Sequence, residues 1–153
     1  MQVGPPSLTV RRGAAAAELA VVLPLLVFLF VAVVDFGRVY YYALTVTNCA
    51  RNGALYASDP QHQADSPYTV RDSDGVIDLN ASVIQAARAE APAELREHLT
   101  VIPPNPPGGP GVGPVSVTVV YPFNTISRFP GIPDSWQLTR TVTMHYAPLQ
   151  PSP

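Results

Sequence analysis

The chain has 153 residues, room for one domain plus an anchor. Its formal net charge of −2 excludes a whole-chain electrostatic pull toward nucleic acid or an acidic membrane surface. The single cysteine, Cys49, excludes an internal disulfide and has no partner at metal-ligand spacing, so cysteine usage leaves the redox compartment open.

The apolar residues are unevenly spread. Leu19 to Val34 is a continuous run of Leu, Val, Ala and Phe with one proline, and Ala14 to Ala17 extend it on the N-terminal side. About 20 apolar residues at 1.5 Å rise each cross a bilayer, so this stretch predicts a membrane-spanning helix. A buried core helix is the competing reading, and it fails because so small a domain does not readily hide a helix that is apolar all round. Asp35 and Arg38 close the far end, and Tyr40, Tyr41 and Tyr42 fall where an interfacial aromatic belt sits. Arg11 and Arg12 precede the span with no acid before them, which places the N-terminus in the cytoplasm and the bulk of the chain outside it. Pro24 removes one helix hydrogen bond, and a kink is expected near residue 20.

Glu18 is the anomaly. A carboxylate near the membrane end of an apolar helix costs energy, up to about 3 kcal/mol at full depth, and intramembrane acids usually mark a partner. The string Arg11-Arg12-Gly13-Ala14-Ala15-Ala16-Ala17-Glu18 supplies one. A cut after Gly13 makes Ala14 a free amine and Glu18 the fifth residue of the mature chain. Groups four positions apart share one helical face. The amine, with an ordinary pKa near 8, is largely cationic at neutral pH and can pair with this Glu18 or a neighbouring subunit's. A secretory signal fits worse: the apolar stretch is too long and no small-residue cleavage site follows it.

This head resembles the class III (type IV-like) prepilin processing site, with basic residues, a scissile Gly and Glu at mature position five. The longer stretch, residues 11 to 58, resembles the TadE-like family of Tad (tight adherence) systems. Its shared features are Gly13 and Glu18 in an RRG-x-x-x-x-E head, Pro24 in the apolar run, the exit box Asp35-Phe36-Gly37-Arg38, and the segment Ala50-Arg51-Asn52-Gly53-Ala54-Leu55-Tyr56-Ala57. Leu19 departs from the aromatic or similar residue that often follows the Glu. Ala14 in place of Phe at the new terminus sets the chain apart from the main type II secretion pseudopilins and type IVa pilins. The resemblance implies cleavage between Gly13 and Ala14 by an aspartyl prepilin peptidase on the cytoplasmic side. It also implies other pilin-like subunits and the Tad machinery as partners.

Beyond the membrane the helix is expected to continue to residue 58. Tyr42, Ala43, Val46, Ala50, Gly53, Ala54 and Ala57 recur at helical spacing, and Ser58-Asp59-Pro60 stops it. This small-residue stripe suits packing against the chain's own sheet or against a partner, and Cys49 reads as a small packed residue on the same helix. Asp72-Ser73-Asp74-Gly75 with Asp78 lacks the ligand spacing and closing Glu of a calcium loop and reads as a turn before an N-cap. Asp78 or Asn80 caps a short helix with a stripe of Ile84, Ala87, Ala91 and Leu95, which Pro92 interrupts or restarts. Three strands follow, over 99–102, from Val115 to Tyr121, and from Trp136 to Tyr146. Period-two alternation is clean except for Arg140 on the apolar face of the last. The loop at 103–114 is too rich in proline for regular structure.

The expected fold is α+β: a long N-terminal helix, transmembrane and then extending outside, packed on a small antiparallel sheet of about three strands plus one short helix. The expected divisions are a cleaved cytoplasmic leader (1–13), the helix and its extension (14–58) and a small α+β extracytoplasmic domain (59–153). His62, His98 and His145 stand at no metal-binding spacing, and no nucleophile, phosphate-loop or paired-acid motif appears. The expectation is therefore no catalytic residue, metal, cofactor, small-molecule substrate or nucleic acid. The function expected is a non-enzymatic, minor pseudopilin of a Tad-type pilus or secretion apparatus in the bacterial inner membrane. A signal-anchored protein with an extracytoplasmic binding domain is the alternative, and it gives no reason for Gly13 and Glu18 at this spacing.

Overall fold

The structure is a computed structural model that describes residues 8–104, 113–126 and 133–146, with side chains from residue 13 onward. The proline-rich 105–112 stretch, the first seven residues and the side chains of Arg11 and Arg12 lie outside the described set. The chain divides into two compact units, Met1–Arg38 and Val39–Pro153. One helix, α1 (Leu8–Ser58), passes through both. It begins six residues ahead of the expected Ala14, so the stretch expected as a leader is helical from Leu8. The alanines that follow Gly13 have the highest helix propensity and favour this continuity. Pro24 lies inside α1, and the helix is not interrupted there.

In the second unit the outer stretch of α1 packs on the chain's own sheet and on a short helix. Val46, Cys49, Ala50 and Ala54 are fully buried, and Ala57 nearly so. Gly53 sits at the closest approach: a Cβ there would lie 3.1 Å from Ala87 Cβ and 3.2 Å from Val117 Cγ1. The stripe of small residues therefore serves internal packing, and Cys49 is a free, buried thiol. Asn52 Nδ2 donates to Ala86 O at 2.7 Å, tying α1 to the neighbouring helix.

That helix, α2 (Leu79–Ala89), is capped by Asp78, whose carboxylate accepts from Ala81 N at 3.0 Å. Pro92 then starts a separate single turn, α3 (Ala93–Arg96). The inward face of α2 is Ser82, Val83, Ala86 and Ala87, with Ile84 only half-buried. Ala87, Ala91 and Leu95 of the expected stripe are buried, and Val83 takes the core place expected of Ile84. Ser82 is a buried polar anchor: its Oγ donates to Asp78 O and accepts from Val70 N at 2.8 Å. The Asp72–Gly75 segment is a turn, with Asp72 Oδ1 accepting from Asp74 N and Val76 N and with Gly75 at φ +82°.

The sheet has the order β1-β2-β3, all antiparallel: β1 (Thr100–Ile102), β2 (Val115–Asn124) and β3 (Ser135–Met144). Val115, Val117, Val119 and Phe123 of β2 face the core. On the wet face, hydroxyl pairs join β2 to β3, Ser116 with Thr143 and Thr118 with Thr141, each at 2.7 Å. Pro122 falls past the end of β1, which reaches only Val120, so one flank of β2 is uncovered where its missing N–H is tolerated. β3 is longer at its start and shorter at its end than expected, and its apolar face is only partly covered: Leu138, Val142 and Met144 are half-buried, and Arg140 is exposed. The fold is α+β, a long N-terminal helix on a three-stranded antiparallel sheet with two short helices.

Candidate membrane anchor and processing site

The described part of the first unit is helical, and its most apolar stretch is almost wholly unburied. Nearly every large apolar side chain from Leu19 to Val34 is exposed, Val21 at 78% and Phe30 at 70%. Burying such a side chain is worth about 1.5–3 kcal/mol, so a run of them left open to water is strongly disfavoured. A helix of the chain's own core would hide these groups, and this one does not. α1 is long and apolar enough to cross a membrane, and a helix pairs its backbone polar groups internally as a lipid environment demands, apart from the one bond that Pro24 removes.

At the start of this run Gly13 and Ala14 are exposed on one turn and Glu18 on the next. Glu18 makes no hydrogen bond or ion pair among the described residues. A Cβ on Gly13 would meet nothing within 4 Å, and the same holds for Gly37 in the exit box. Glycine inside a helix costs about 1 kcal/mol relative to alanine. Gly53 offsets that cost through close packing; Gly13 and Gly37 have no such reason among the described residues.

At the far end, Arg38 Nη1 donates to Asp35 Oδ1 at 3.4 Å, one turn apart. This pairing, not anticipated from the sequence, balances the Arg38 charge locally. Phe36 between them is 72% exposed. The three tyrosines that follow do not act alike. Tyr40 and Tyr41 are exposed, whereas Tyr42 turns inward, its ring centroid 5.2 Å from that of Tyr121 and 5.5 Å from that of Phe123. The expected belt is thus two residues on α1, with the third used in the fold.

With this geometry in hand, comparison with known proteins shows that residues 13–55 match the family model described as TadE-like protein. That segment is similar to the TadE-like family, and the match covers under a third of the chain. The matched stretch opens on Gly13, takes in Glu18, Pro24 and the Asp35–Arg38 box, and ends in the small-residue helix that packs on the sheet. No curated protein and no solved structure matches the chain. The β-strands lie wholly outside the TadE-like segment.

The described residues gather little chemistry. No group of three or more His, Cys, Asp or Glu side chains is placed to hold a metal among them. His62 Nδ1 lies 2.8 Å from Asp59 Oδ2 on the exposed surface, a contact within one turn. Burial, and secondarily the negative charge of Glu90, push the Cys49 thiol up to about 11, away from nucleophilic reactivity.

Proposed function

We propose that this chain is a non-enzymatic, pilin-like subunit, a minor pseudopilin, for assembly of a Tad-type pilus or secretion apparatus. It crosses the bacterial inner membrane once, with the N-terminus cytoplasmic and the β-sheet domain outside. The observation that carries the reading is the TadE-like match, which starts at Gly13 and continues through an exposed apolar helix. Residues 1–13 are a leader, and a prepilin peptidase cuts between Gly13 and Ala14. The open space around Gly13 supports this, since a residue unneeded for packing is available to be read by a protease.

After the cut, the Ala14 amine and the Glu18 carboxylate lie on one helical face. Each is costly in lipid alone, and pairing, within the chain or between neighbouring subunits, lowers that cost. The leader arginines Arg11 and Arg12 set the orientation, Pro24 marks where the helix can bend, and Asp35 to Arg38 mark the exit. Other pilin-like subunits and the Tad machinery are the partners.

The test is intact mass or N-terminal sequencing of the membrane-extracted protein, made together with its native prepilin peptidase. The expected N-terminus is Ala14. A retained Met1, or a cut beyond Val34, overturns the reading and leaves a signal-anchored protein in its place.

A further inference from the structure

The outer face of α2 borders a groove that the fold leaves unfilled. Ala81, Ile84, Gln85, Arg88 and Ala89 recur at steps of three and four along one side of the helix, opposite its inward face. With Tyr68 from the preceding loop and Arg96 from α3 they line an open space of about 550 Å³. From Ala81 to Ala89 the helix rises about 12 Å, room for about four extended residues. The stripe is apolar at Ala81 and Ile84, and Arg88 brings a charge one turn further on.

Arg88 is half-buried. Its Nη2 donates to Leu99 O at 3.2 Å, and its Nε is closed off from solvent with no hydrogen-bond partner among the described residues. The bond to Leu99 uses one of the five N–H donors of the guanidinium. Arg96 is exposed and donates through Nη2 to Ala91 O at 3.0 Å. Neither guanidinium is in an ion pair with a carboxylate among the described residues. Glu90, Glu94 and Glu97 are neighbours in sequence, and none of them lines the groove.

We propose that this groove binds a short extended peptide segment of another protein. The segment sets a carboxylate on Arg88 and Arg96 and lays an aliphatic or aromatic side chain against Tyr68 and Ile84. A partly buried guanidinium without a counter-charge is unfavourable, and a carboxylate supplied from outside relieves it. The planar fork of each arginine suits two-point binding of a carboxylate. A free phosphate would engage the arginines but leave the apolar stretch open to water, so a peptide fits better. The groove lies wholly within the second unit, so such binding requires neither the membrane anchor nor the proposed cut after Gly13.

The probe is the blocked peptide acetyl-Leu-Asp-Leu-Asp-amide, titrated into the isotope-labelled full-length protein in detergent micelles and followed by backbone amide NMR. Saturable shifts are expected at Tyr68, Ile84 and Ala89. Arg96→Gln should weaken binding about tenfold, Arg88→Gln at least as much, and Arg140→Gln on the exposed sheet should leave it unchanged. Arg96 is exposed, so its variant still tests the groove if Arg88→Gln disturbs the fold. The peptides with Asn in place of Asp, or Ala in place of Leu, should each bind about tenfold more weakly. The absence of a saturable shift at millimolar peptide overturns the proposal, as does unchanged affinity in Arg96→Gln or equal binding of the Asn peptide. Inorganic phosphate that binds as tightly as the Leu-Asp peptide also overturns it, leaving a simple anion site.

Discussion

Gly53 on α1 and Val117 on β2 approach so closely that a Cβ on residue 53 would sit 3.2 Å from Val117 Cγ1. Ala87 Cβ bounds the same space at 3.1 Å, and neither neighbour moves easily. Ala87 Cβ is fixed to the α2 backbone, and a β-branched side chain in a strand is stiff at χ1. Gly53→Val is expected to lower the unfolding free energy of the sheet domain by about 1–3 kcal/mol through overpacking. Gly53→Ala lowers it by less, although alanine is the better helix former. Gly37→Ala, made in open space, leaves it unchanged. Urea unfolding of the full chain in detergent, followed by Trp136 emission, checks all three. If Gly53→Ala proves stabilising, the contact is looser than stated.

The Ser82 hydroxyl joins three parts of the fold by accepting from Val70 N and donating to Asp78 O. Its side chain is fully buried. Ser82→Ala strands the Val70 amide, and a buried donor left without a partner costs about 1–3 kcal/mol. The expected signature is local: hydrogen exchange at the Val70 backbone amide speeds up by more than at the Asn52 backbone amide, which lies within α1. Equal acceleration at both would mean that Ser82 supports the whole domain and does not specifically pin the loop.

Burial raises the Cys49 thiol from its ordinary 9.0 to about 11, with Glu90 adding to the shift. A folded-state pKa above the unfolded one means the neutral thiol is favoured by folding. The stabilisation is therefore complete below pH 9 and is lost as pH rises through 11. Its size is on the order of 2–3 kcal/mol. Cys49→Ala is expected to lose less stability than the parent between those limits, with the tyrosines common to both cancelling. In the folded parent at pH 8, iodoacetamide should leave Cys49 unmodified until denaturant is added. Rapid labelling without denaturant would show that the α1–sheet seam opens.

Much of this architecture is legible in the residue pattern, because the strongest signals are local. The apolar run, the small-residue stripe, the Asp78 cap and the alternation of Val115, Val117 and Val119 each follow from one element's own periodicity. What the pattern does not carry is which neighbour an element meets. Ile84 outranks Val83 as a core residue until the closeness of α1 is known. Tyr42 reads as part of a belt until Phe123 and Tyr121 are placed beside it. The apolar face of β3 looks complete, yet it lies at the sheet's edge, where α1 covers β2 instead. For the proposed processing site the limit is different: Gly13 and Glu18 stand out by spacing and charge, and neither has a packing or pairing partner among the described residues.

Glu18 provides the sharpest separation between anchoring and assembly. Glu18→Ala removes an intramembrane acid, so insertion should be unimpaired or improved, by up to about 3 kcal/mol were the residue at full depth. On the proposed cut after Gly13, the same change would leave the Ala14 amine without a carboxylate, and association with pilin-like partners is expected to weaken. Glu18→Gln keeps the shape and removes the charge, so it should match Glu18→Ala if pairing is electrostatic. The measurement is co-purification from membranes with partner subunits, alongside alkaline extraction to score insertion. In a background where Gly13→Leu blocks cleavage no amine forms, so Glu18→Ala should cause no further loss of association. Additive losses in that double variant would assign Glu18 a role other than pairing with Ala14.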